Sequence, residues 1–120
     1  MNEQEGDETM SNPIILRDTE NGKEYRLEFD KESVKWAEGK GFNIEDLAKY
    51  PMSKTEELFY YAFRKNHKNV SLERAQKLLA GIGSISEEFM KRLIELYSEP
   101  FSAFNAEEDG EETPFVKVEL

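Results

Sequence analysis

The chain has no cysteine, one histidine and one tryptophan among its 120 residues. Without cysteine there is no disulfide framework, no thiolate metal site and no cysteine nucleophile, and one histidine is too few for a histidine-based metal site within a single chain. Long apolar runs are also missing: none approaches the roughly 20 residues of a membrane-spanning helix, and the N-terminus is acidic where a secretory signal would be basic and then apolar. The sequence therefore reads as a soluble, cytoplasmic protein with no cofactor and no membrane partner. Residues 1–13 lack any base and carry Glu3, Glu5, Asp7 and Glu8, whereas residues 105–120 carry six acids against Lys117. These ends supply −4 and −5 of the net −10, leaving −1 on residues 14–104, which hold 16 acids and 15 bases. Such a balance opposes phosphate, and the bases are dispersed, so no nucleic-acid partner is expected.

What is present is a body of about 90 residues, enough for one modest core. Three segments are expected: a disordered acidic start over 1–13, a single domain over 14–104, and an acidic flexible tail over 105–120 whose last six residues, Phe115 to Leu120, alternate as a strand would. Asn21-Gly22 between alternating runs predicts a two-residue type I′ hairpin over Ile14 to Phe29. Centred there, Glu20 faces Lys23, Asp18 faces Tyr25, Leu16 faces Leu27 and Ile14 faces Phe29, with Arg17 opposite Arg26 as a blemish. A two-stranded ribbon is marginal alone, so helices must cover its apolar face.

Helical signals follow. Asp30 caps a helix over about Lys31 to Lys40 that turns Val34 and Ala37 inward, and Gly41 ends it. Asn43 caps a short stretch over Ile44 to Lys49, stopped by Pro51. Ser53 and Glu56 form a capping box for an aromatic helix over about Lys54 to His67, with Leu58, Phe59, Ala62 and Phe63 on one face. Ser71 caps the next, whose stripe of Leu72, Ala75, Leu78 and Leu79 ends at Gly81 and Gly83. A last helix begins at Ser84 or Ser86, carries Phe89, Met90, Leu93, Ile94 and Tyr97, and is interrupted by Pro100. The expected fold is α+β but mostly α, an N-terminal β-hairpin packed on a bundle of four or five short helices.

No residue set points to catalysis. His67 lies among Arg64, Lys65 and Lys68, where a ring near a helix C-terminus complements the dipole. The pairs Glu56-Glu57 and Glu87-Glu88 sit in first turns, where anions are favoured, and Glu107-Glu108 lacks calcium-loop spacing. Gly81 and Gly83 follow no strand, lack a third glycine and close a helix where a cradle would open one, which argues against a phosphate cradle. Ser33, Ser53 and Ser71 are caps. The cluster Phe59, Tyr60, Tyr61 and Phe63 exceeds what one buried stripe needs, so Tyr60 or Tyr61 is a candidate for an exposed protein interface.

The order of the pieces carries more than any one of them. Gly22-Lys23-Glu24-Tyr25 with Leu27 and Phe29, Val34, Gly41-Phe42 with Ile44 and Asp46, Pro51-Met52, Leu58-Phe59 with Ala62-Phe63, His67-Lys68, and Leu96-Tyr97-Ser98-Glu99-Pro100 form a series over residues 22–104. That series resembles the small tail assembly chaperones of long-tailed phages and prophages, encoded between the tail tube and tape measure genes. The resemblance implies a non-enzymatic protein of the host cytoplasm that binds the long helical tape measure protein, keeps it soluble and helps recruit tail tube subunits. Trp36, Phe42, Met52, Tyr60 and Tyr61 are then the candidate partner-binding residues, and homo-oligomers stay open. The longer acidic N-terminus and Phe115 to Leu120 depart from the family pattern. A competing reading is an acidic DNA mimic that inhibits a host nucleic-acid enzyme. It needs acids ordered on a folded surface, whereas nine of the ten excess charges lie in the ends.

Overall fold

The chain is a β-hairpin laid on four α-helices, in the order β1 (Ile14–Asp18), β2 (Lys23–Leu27), α1 (Lys31–Gly39), a 3₁₀ turn (Ile44–Leu47), α2 (Pro51–Tyr61), α3 (Leu72–Ile82) and α4 (Glu87–Phe104). The computed structural model describes residues 13–104; the expectations for the acidic start, the acidic spacer and the strand-like residues 115–120 lie outside the described residues. Among the described residues no helix is long and apolar enough to cross a membrane.

The hairpin forms with a register two residues from the expected one: Ile14 pairs with Leu27, Leu16 with Tyr25, Arg17 with Glu24 and Asp18 with Lys23. The reason lies in the loop. The Asp18 carbonyl accepts the Gly22 amide at 2.7 Å, and its carboxylate accepts the Glu20 amide at 3.0 Å, so four residues make the turn. Gly22 alone takes a positive φ, 74°, as the left-handed last position of such a loop requires. Because the shift is even, the same side chains still face inward. It also removes the expected Arg17–Arg26 clash, since Arg17 now pairs with Glu24.

α1 begins with a reciprocal cap. The Asp30 carboxylate accepts the Ser33 amide and the Asp30 amide donates to Ser33 Oγ, both at 2.8 Å. It ends in a Schellman motif, with Gly41 at φ 93° donating to the Glu38 carbonyl and Phe42 donating to that of Ala37. This turn swings Phe42 back under the helix and buries it.

Two proline expectations are corrected. Pro51 does not merely stop what precedes it; it opens α2 at the first position, where its fixed φ suits a helix and its missing N–H costs nothing. The Ser53/Glu56 box is therefore inside the helix and caps nothing. Pro100 does not interrupt α4, which continues to Phe104 while Leu93, Leu96 and Tyr97 hold it against the core. Near the helix end the proline forfeits one backbone bond.

α2 also ends at Tyr61, short of His67. The Phe63 and Arg64 amides bond three residues back, and the Ala62 carbonyl accepts the Glu28 amide at 3.1 Å. The segment after α2, a run of turns, thus bonds along β2 without forming a strand of its own. The Arg26 amide donates to His67 Nε2 at 2.9 Å, and Asn66 Nδ2 donates to the Arg26 carbonyl at 3.1 Å. The His67 ring is therefore the acceptor for a β2 amide and no helix-dipole cation, with Nε2 unprotonated. Burial, reinforced by the Lys23 charge, pushes its pKa below the ordinary 6.5. A depressed folded pKa means the contribution is complete above about pH 6.5 and lost as pH falls through the folded value. His67→Ala is expected to cost about 1 kcal/mol near pH 7.5, shrinking by about pH 5.5, checked by urea unfolding of both chains at each pH.

Candidate functional site

Aromatic rings thread the interior in two lines. One runs Tyr25–Phe63–Phe59–Phe89, with ring centroids 5.4, 5.2 and 6.1 Å apart. It glues the hairpin to α2 and α4. The other runs Phe29–Tyr97–Phe42–Tyr61–Trp36, at 5.1, 5.5, 5.3 and 5.5 Å, mostly edge-on, the arrangement that ring quadrupoles favour. This second line leaves the core and ends at the surface, where Trp36 also meets Tyr60 at 6.0 Å.

Four of the five residues singled out from the sequence therefore come together. Phe42 and Tyr61, however, are only 4% and 7% exposed, so they support the surface from beneath and are not available to a partner. Burial accordingly raises the Tyr61 hydroxyl pKa above its ordinary 10, with Glu57 adding to the effect. Trp36 and Tyr60 are half-buried and form the accessible end of the line. Met52 stands elsewhere, 83% exposed in the first turn of α2 next to exposed Tyr50.

Cations surround the accessible end. The Arg64 guanidinium lies 4.3 Å and Lys40 Nζ 5.3 Å from the Trp36 ring centroid, close enough for cation–π attraction worth about 0.5–1 kcal/mol each at a surface. A notch beside the ring is lined by Asp30, Glu32, Ser33, Lys35, Trp36, Arg64, Lys65 and Lys68. Asp30 is used by its cap and Lys65 by Glu28, while Lys35, Lys40, Arg64 and Lys68 make no ion pair among the described residues.

The notch is held in place by a buried carboxylate that the sequence did not reveal. Glu28 is 4% exposed, and its Oε1 accepts from Asn66 Nδ2 at 2.9 Å, Arg26 Nε at 3.1 Å and Lys65 Nζ at 3.2 Å. This clamp fixes the segment from Arg64 to Lys68 against the end of β2, and so fixes Arg64 over Trp36. On the opposite flank Arg74 of α3 reaches Asp18 of β1 at 2.6 Å. A second apolar surface, an open trough on α4, is lined by Ile85, Met90 and Ile94 between Glu87, Lys91 and Glu95. The α4 stripe was broader than a buried face requires, which was the one signal for it.

Among known proteins, the family model described as "Domain of unknown function (DUF5055)" matches residues 10–120, and the chain belongs to that family. No curated protein and no solved structure matches it.

Proposed function

We propose that this member of the DUF5055 family is a non-enzymatic tail assembly chaperone that binds a tape measure protein and helps recruit tail tube subunits, with Trp36 and Tyr60 at the centre of the client surface. The observation that carries the reading is the aromatic line Tyr97–Phe42–Tyr61 ending in Trp36 and Tyr60 under the Arg64 and Lys40 cations. Support also comes from the ordered motifs between residues 22 and 104 that resemble such chaperones. Rigid amphipathic rings beside flexible cations suit an amphipathic client helix. Its apolar stripe would cover the rings while its acids pair with Lys35, Lys40 and Lys68. Fully desolvated aromatic and arginine anchors contribute most of the affinity at such surfaces.

The test is co-expression with a tape measure fragment from the same genome. Tyr60→Ser is expected to reduce client affinity about 30-fold, a loss of about 2 kcal/mol, while leaving the circular dichroism spectrum of the chaperone unchanged. Tyr61→Ser is expected to unfold part of the support and is the wrong probe. Undiminished recovery of the fragment with Tyr60→Ser removes this surface from the client site. The DNA-mimic reading gains nothing from the folded body, where 16 acids face 15 bases.

A further inference from the structure

On a chain of net charge −10, and against Glu32 as the one acid of the notch lining not held in a cap, four cations without ion pairs among the described residues gather around one half-buried tryptophan. Their mutual repulsion is relieved by an anionic ligand, and the low-dielectric ring beneath them strengthens that attraction. The complement is in the same chain. Residues 107–112 read Glu-Glu-Asp-Gly-Glu-Glu, five acids and no base, and begin three positions after Phe104, the last residue of α4.

Helix α4 brings the chain to the right place. Tyr97 packs on Phe29 and Phe42 at 5.1 and 5.5 Å, and Glu99 lies within electrostatic range of Lys65 and Glu28 beside the notch. From Glu99 to Phe104 the helix rises about 7.5 Å. The eight residues onward to Glu112 can span at most about 28 Å. So short a tether sets the local concentration of the acidic segment in about the millimolar range or above.

We infer that residues 107–112 lie across the Lys35–Trp36–Arg64–Lys68 notch as an acidic strap, which a client must displace. The displacement rests on the client-binding reading; the contact itself needs no client. Four acids near the N-terminus, Glu3, Glu5, Asp7 and Glu8, are the rival occupant. They are sparser, with apolar or uncharged residues between most of them.

Trp36 is the only tryptophan, so its fluorescence reports on the notch alone. In the full chain, the combined change Glu107→Gln, Glu108→Gln, Asp109→Asn, Glu111→Gln and Glu112→Gln is expected to raise acrylamide quenching of Trp36 about twofold at about 20 mM salt, where the screening length is about 20 Å. Adding about 0.5 M NaCl is expected to bring the native chain to the same value and to leave the neutralised chain unchanged. Lys35→Gln with Lys68→Gln, both exposed, should reproduce the increase and add nothing to the neutralised segment. Unchanged quenching after neutralising residues 107–112, or an equal increase from Glu3→Gln, Glu5→Gln, Asp7→Asn and Glu8→Gln, overturns the inference. No client is present in any arm, so a failure here leaves the client surface standing, and a failed co-purification leaves the strap standing.

Discussion

Phe63→Ala is expected to destabilise the chain by about 3–5 kcal/mol, a large share of the 5–15 kcal/mol typical of a domain. The side chain is 1% exposed and sits between Tyr25 of the hairpin, Phe59 of α2 and His67 of the segment beside β2, at 5.4, 5.2 and 6.3 Å. Removing it leaves a cavity at the junction of three pieces, and none of them can close it alone. A two-stranded ribbon that loses its covering is not independently stable, so the hairpin should be released with it. Urea unfolding read by circular dichroism measures the loss; a cost below about 1 kcal/mol would mean that the hairpin is held by other contacts.

Glu28→Ala is expected to cost about 2–4 kcal/mol, or a fall in the melting temperature of about 10–20 °C. The charge itself is expensive to bury, but the donors on its Oε1 help to balance that expense, and deletion takes this acceptor from Arg26, Lys65 and Asn66 together. Lys65 and Arg26 are partly exposed and can turn to water, whereas the Asn66 amide also holds the Arg26 carbonyl. Glu28→Gln keeps an acceptor oxygen and should cost less than half as much. Since the clamp also positions Arg64, Glu28→Ala should change Trp36 fluorescence below the unfolding transition. Differential scanning calorimetry paired with emission spectra checks both.

Much of the architecture was legible locally. Asp30, Asn43 and Ser71 announce their helices because a short oxygen-bearing side chain placed before a helical run meets one of its free first-turn amides, and each does so. Inward faces of the hairpin survive even a wrong register because the pleat repeats every two residues. The errors have physical causes of one kind. Pro51 carries two opposite local meanings, end of one element or start of the next, and only the packing of Leu58 and Phe59 selects the second. Asn21-Gly22 favours a tight turn, but the Asp18 side chain and carbonyl take hold of Glu20 and Gly22 and widen it.

The site was legible as an inventory and not as an arrangement. Tyr60 and Tyr61 were identifiable as surplus aromatics and Trp36 and Phe42 as partner candidates, yet which of them faces outward depends on the Gly41 turn that tucks Phe42 in. The Glu28 clamp joins residues 37 and 38 positions apart, and the His67 bond spans 41, beyond the reach of any helical or strand periodicity. Glu28 looks, in sequence, like one more acid on the outer face of a ribbon. Met52 stands apart from that cluster and exposed, because an apolar side chain in a first helical turn has no neighbours above it to pack against.

Amide hydrogen exchange of the full chain, alone and with a bound tape measure fragment, decides whether another polypeptide sits on the Trp36–Tyr60 surface. Slowed exchange over residues 34–42 and 58–68, with little change over 85–95, is expected. Protection confined to the α4 trough around Met90 and Ile94, or no protection anywhere, would be incompatible with that surface as the client site.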